Sequence, residues 1–116
     1  MIFEIDEGGG AVAFVRVGGR LDTLTAPEFT EQALALVDGG RTRVVFDLSA
    51  VEYVSSAGLK AFLATAKHAG AQGGAVALCS LQEPVERIFL IAGFDAFLRL
   101  CPDRDAALEV CRPACD

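Results

Sequence analysis

Arg43 to Leu48 reads RVVFDL and Ala75 to Cys79 reads AVALC. Runs this continuously apolar fit strands covered on both faces, and hence parallel to a neighbour, better than the half-exposed alternation of an open antiparallel strand. Parallel strands cannot be joined by a tight turn and need a crossover, usually a helix. The segment between the two runs supplies one. Its helix is expected from about Ser55-Ser56 to Ala69, with Leu59, Phe62, Leu63 and Ala66 on one face and Gly70 and Gly73-Gly74 closing it.

The remaining elements follow from the same two periodicities. Met1–Ile5 and Ala11–Val17 read as an antiparallel hairpin turning at Asp6-Glu7-Gly8-Gly9-Gly10. Gly18-Gly19 should release the chain into the polar stretch Arg20–Leu24. Thr25 then reads as a helix cap, with Pro27 in the first turn and Glu28 three residues on. That helix places Phe29, Ala33, Leu36 and Val37 on one stripe and ends at Asp38-Gly39-Gly40. Glu83–Ala92 is a further helix carrying Val85, Ile88 and Phe89, Phe97–Leu100 a short last strand, and Asp103 to about Cys111 a last helix. The order ββαβαβαβα predicts an α/β fold: a mixed sheet with an N-terminal antiparallel hairpin and later parallel strands, packed by about four helices.

At 116 residues this is one domain, 1–116. Apolar residues make up 53% and charged residues 22%, which excludes a chain unable to bury enough surface to fold. A net charge of -6 repels phosphate backbones and argues against nucleic acid as a partner. No apolar run approaches about 18 residues and MIFEIDEGGG lacks the features of a signal peptide, so a cytoplasmic location without direct membrane insertion is expected. Cys79, Cys101, Cys111 and Cys115 are expected as reduced thiols. The spacing of Cys111 and Cys115 is neither a redox CxxC nor half a zinc pattern, and His68 is the single imidazole, so no metal is expected. The groups Gly8-Gly9-Gly10 and Gly18-Gly19 lack nucleotide-binding spacing, and no cofactor is predicted.

Partners of open α/β sheets bind beyond the carboxyl ends of the parallel strands, which directs attention to the expected loop Ser49–Ser56. Ser55 and Ser56 stand at a helix N-terminus, where unpaired N–H groups and the dipole favour negative charge. One of them is expected to cap the helix, and whichever does, the other hydroxyl is left over. Gly58 in the first turn costs roughly 1 kcal/mol relative to alanine, which calls for a close approach either by a partner surface or by a neighbouring strand. A nucleophilic serine would need a base. His68, twelve residues beyond Ser56 on the same helix, lies roughly 18 Å along its axis and is expected as a solvated residue of the last turn. Asp22 follows the second strand, either in an Asx-turn or in one acidic patch with the serines. Asp47, inside a strand, is expected to be paired or at an edge.

Gly19-Arg20-Leu21-Asp22, Ala26-Pro27, Val45-Phe46-Asp47-Leu48-Ser49, Val51, Tyr53-Val54-Ser55-Ser56-Ala57-Gly58-Leu59, Gly73-Gly74 and Gly93-Phe94 together resemble the STAS domain of anti-sigma factor antagonists. The resemblance spans nearly the whole chain and implies partner switching. Such a protein binds an ATP-binding anti-sigma factor that is also a serine kinase, frees a sigma factor, and is silenced by phosphorylation of one serine until a serine phosphatase removes it. The family motif is Asp-Ser-Ser/Thr-Gly-Leu. Aligning Gly58-Leu59 places Ser56 at the modified position, Ser55 where the aspartate usually stands and Ala57 where the second hydroxyl usually stands. Asp22 matches an acidic residue of the partner surface, and the implied contact set is Asp22, Thr23, Ser55, Ser56, Ala57 and Gly58. The resemblance also admits an unphosphorylated STAS subunit docking on the ATPase of a membrane transport complex. An enzyme is not expected, because no base reaches either serine.

Overall fold

The computed structural model describes residues 1–6 and 10–112. The run RVVFDL lies in the middle strand of a five-stranded sheet ordered β1-β2-β3-β4-β5, formed by β1 (Ile2–Asp6), β2 (Ala13–Leu21), β3 (Arg43–Val54), β4 (Ala75–Cys79) and β5 (Arg99–Cys101). β1 and β2 are antiparallel and every later pair is parallel, the mixed sheet expected from the sequence. Four helices, α1 (Ala26–Asp38), α2 (Ser56–Ala71), α3 (Glu83–Ile91) and α4 (Arg104–Cys111), alternate with the strands, and a 3-10 turn spans Phe94–Ala96.

From Val44 to Leu48 β3 is apolar but for one residue because both its faces are covered there. Val44, Phe46 and Leu48 join the larger core with residues of α1, α2 and α3, where Phe29, Phe46, Phe62 and Phe89 form a chain of rings 4.7–5.9 Å apart. Val45 packs on the other side with Ala77, Cys79, Ala107 and Cys111 beneath α4. Asp47 is the polar exception and is paired as expected: its Oδ2 lies 3.0 Å from Arg104 Nε, and Oδ1 accepts from the Ser49 N–H at 2.9 Å. Burial opposes its ionisation, but these donors outweigh that and hold the carboxyl below the usual range. Cys79, Cys101 and Cys111 are free thiols, and burial pushes Cys111 up to about 11.

Two strands run further than expected. Gly18-Gly19 does not end β2, and Ser49–Val54 is not a loop. Register shifts between Arg16 and Gly18 and between Gly19 and Arg20 let β2 bulge and continue, and β3 follows it through Ala50↔Gly18, Tyr53↔Arg20 and Val54↔Leu21. Glycine is required here for space and conformation: a Cβ on Gly18 would meet Ile2 Cδ1 at 3.0 Å and Ala50 Cβ at 3.1 Å, and Gly19 has φ +89°. The last strand starts two residues late, at Arg99, because Phe94–Ala96 closes a turn first and Leu98 is the residue that enters the core.

Thr25 occupies the cap position of α1 but gives the helix no side-chain hydrogen bond, and His68 stands partly exposed in the last turn of α2 as expected, where its Nε2 also lies 2.6 Å from Asp38 Oδ1 at the end of α1. Of the expected hairpin turn Asp6–Gly10, Glu7, Gly8 and Gly9 lie outside the described residues, as does the thiol of Cys115; β1 runs on to Asp6 and β2 starts at Ala13, two residues later than expected.

Candidate functional site

The elongated β2 and β3 end side by side, at Leu21 and Val54, and α2 starts after a single intervening residue. That residue is Ser55. Its N–H donates to the Leu21 carbonyl at 2.8 Å, extended backbone (φ -87°, ψ 175°) turns the chain, and its Oγ accepts from the Gly58 N–H at 3.4 Å. Ser55 is therefore the cap and Ser56 the left-over hydroxyl, exposed at the first position of the helix. Ala57 is half-buried behind it.

Gly58 is buried, and of the two readings of its cost the structure displays the internal one. A Cβ there would stand 2.9 Å from both the Leu21 carbonyl oxygen and Val54 Cγ1. The missing side chain lets α2 start directly against the end of β2, so Gly58 shapes the site from beneath and presents little surface of its own.

The same contact brings the β2–α1 turn to the head of α2. Asp22 accepts at Oδ1 from the Leu24 N–H (2.9 Å) and the Thr25 N–H (3.2 Å), which is the Asx-turn reading, and it follows Leu21, whose carbonyl takes the Ser55 N–H. The Thr25 hydroxyl completes the turn by accepting from the Asp22 N–H (3.0 Å) and donating to the Arg20 carbonyl (2.7 Å), which is why it is unavailable as a helix cap. The two backbone N–H donors chiefly hold the Asp22 carboxyl below its ordinary range, with Arg20, 3.9 Å from Oδ2, adding a little. Thr23 is exposed.

Three features of this surface were not recognised from the sequence. Leu24, at the tip of the turn, is 87% exposed. Its isolation between Thr23 and Thr25, in phase with no apolar stripe, is the one signal that could have flagged it. The Arg20 guanidinium lies 4.5 Å from the centre of the Tyr53 ring, a pairing created by the β2 bulge and unreadable without it. Between α1 and α2 runs an open groove of about 500 Å³, lined by Ala26, Ala57, Ala61 and Ala64 together with Glu31 and Lys60.

The arrangement offers a hydroxyl at a helix N-terminus, a rigid acidic turn and an apolar groove, while His68, bonded to Asp38, stands in the last turn of α2, far from Ser56. Among the described residues no group of three or more His, Cys, Asp or Glu converges on a metal position, and no helix is long and apolar enough to cross a membrane.

Comparison with known proteins agrees with this architecture. The model of the STAS domain family matches residues 4–107. BtrV of Bordetella bronchiseptica is 34% identical over 96 residues, 83% of each chain. The anti-sigma-B factor antagonist of Bacillus subtilis is 34% identical over 95 residues, 82% of this chain and 86% of that one. The crystal structure of an anti-sigma factor antagonist from Mycobacterium paratuberculosis superposes with a TM-score of 0.84 at 30% identity, covering 96% of this chain and 93% of that one. The chain belongs to the STAS domain family, among relatives that are anti-sigma factor antagonists.

Proposed function

We propose that this protein is an anti-sigma factor antagonist of the partner-switching type, working in the cytoplasm: it binds an anti-sigma factor with ATP-dependent serine kinase activity, and phosphorylation of Ser56 ends that binding until a serine phosphatase reverses it. The observation that carries the reading is the division of labour between adjacent serines. Ser55 does the structural work of capping α2, so Ser56 can change its charge without unmaking the junction.

The energetics favour a switch at the interface over one in the fold. A phosphoserine adds about 1.5 to 2 negative charges, and a helix N-terminus accommodates them. The same dianion pressed against a partner, beside the ionised Asp22, must be desolvated and weakens binding by several kcal/mol unless the partner answers it with cations. Docking itself is assigned to the turn Asp22-Thr23-Leu24, with Leu24 as the apolar anchor, and to the groove beside Ala57.

Baits of wild type, Ser56→Ala and Ser56→Asp, exposed to lysate of the native cells, test the reading by mass spectrometry of what they retain. The expected result is a kinase-type ATPase held by wild type and Ser56→Ala and lost with Ser56→Asp. A transport ATPase recovered equally by all three baits overturns it.

A further inference from the structure

Lys60 stands four residues after Ser56 on α2, and both are exposed. That spacing puts them on one face of the helix, one turn apart, with about 5–6 Å between their Cβ atoms. Helical side chains lean towards the N-terminus, which directs the Lys60 stem back towards position 56. Among the described residues the Lys60 ammonium has no hydrogen-bond or ion-pair partner. Its charge is also unanswered along the helix: the first turn of α2 holds no acidic residue, so a lysine in the second turn adds to the positive end of the dipole.

We infer that Lys60 is the residue that receives the phosphate of Ser56: the modified serine and Lys60 form an ion pair along α2, which holds the phosphate at the groove that Lys60 and Ala57 line. The inference rests on the proposed reading of Ser56 as the phosphorylated residue. An anion placed N-terminal to a lysine at this spacing is the favourable order of such a pair, because the anion also meets the helix N-terminus. The other charges of the elements meeting here do not take Lys60's place. Glu31, which lines the groove from α1, and Asp22 in the β2–α1 turn are acidic and repel a phosphate, while Arg20 is engaged by Asp22 and by the Tyr53 ring. Lys67 follows seven residues after Lys60, roughly 10 Å further along the axis, and is out of reach. Lys60 is thus a positioning residue of the switch: the pair keeps the dianion on the face where a partner would lie against the alanines of the groove, so that the modification obstructs docking by its place as well as by its charge.

Phosphorus NMR titration of the full chain tests it, with phosphoserine built in at position 56 during translation so that no kinase is needed. Lys60 favours the dianion over the monoanion, so the phosphate beside Lys60 should lose its last proton at a pH lower by about 0.3 or more than in Lys60→Gln. Lys60→Arg should keep the low value. Lys67→Gln, which removes the same charge from the same helix at a distance, should leave it unchanged. A phosphate that titrates alike with Lys60 and with Lys60→Gln, or a change equally large in Lys67→Gln, overturns the inference. Failure of the proposed function reads differently: the kinase then leaves Ser56 unmodified, or the partner stays bound to the phosphorylated chain, whichever way the titration falls.

Discussion

The Ser55 N–H donates to the Leu21 carbonyl at 2.8 Å, and this bond ties the end of β2 to the start of α2. It places a turn fixed by Asp22 and Thr25 against a helix capped by Ser55, leaving Ser56 and Leu24 outermost. The junction is rigid where the fold needs it and open where a partner can reach it.

The two serines should separate cleanly by stability. Ser55→Ala removes the cap and is expected to cost about 0.5–1 kcal/mol in urea denaturation. Ser56→Ala, at an exposed site without a structural bond, should fall within about 0.5 kcal/mol of wild type. Equal losses from both would contradict the assignment of the cap.

Gly58→Ala gains roughly 1 kcal/mol of helix propensity yet should be net destabilising, because its methyl group meets backbone and a buried side chain at 2.9 Å. A loss of about 1–3 kcal/mol is expected from overpacking. A stabilised variant would show that α2 does not sit this tightly against β2.

Leu24→Ser should leave the denaturation midpoint unchanged, since the side chain is 87% exposed, and should lower affinity for the anti-sigma factor by at least about 10-fold as an interface anchor does. Calorimetric titration checks this. Unchanged affinity would remove the β2–α1 turn from the docking surface.

Stability should decline in acid in a defined direction. Asp22 is held low chiefly by the Leu24 and Thr25 N–H groups and Asp38 by His68, while at Asp47 the Ser49 and Arg104 donors outweigh the opposing effect of burial. A carboxyl whose folded pKa lies below its unfolded value stabilises the fold above the unfolded pKa of about 4, and that contribution disappears as pH falls through the folded value. Urea midpoints should therefore drop below about pH 4, and Asp47→Asn should flatten part of that drop. A wild-type midpoint constant down to pH 2.5 would contradict these pairings.

The order of elements and the pairing of the sheet were legible because they rest on long apolar runs: RVVFDL and AVALC could be satisfied only by burial on both faces. The site was legible in part. That β2 and β3 end at the same edge followed from topology, but the way they reach it did not, since Gly18-Gly19 reads equally as a chain break and as a bulge, and only cross-strand pairing with Ala50–Val54 selects the bulge. For the same reason Ser49–Val54 reads as a loop: buried Val51 and Val54 are separated by two exposed residues, Glu52 and Tyr53, because the register shift between Gly19 and Arg20 interrupts the period-two alternation of a strand. Thr25 was misread because a side chain with two possible local bonds does not disclose which one it makes. The place of His68 in the last turn of α2 was legible, but its bond to Asp38, thirty residues away, was not.

The most direct test of the central claim uses the anti-sigma factor recovered with the unmodified bait. The purified chain is incubated with that kinase and ATP, the phosphate is located by peptide mass spectrometry, and affinity is measured before and after. The account predicts a single phosphate on Ser56, an unaltered circular dichroism spectrum and a loss of affinity of about 100-fold or more, the equivalent of several kcal/mol. A phosphate on Ser55 or Thr23, or a phosphorylated Ser56 that binds as tightly as before, would contradict it.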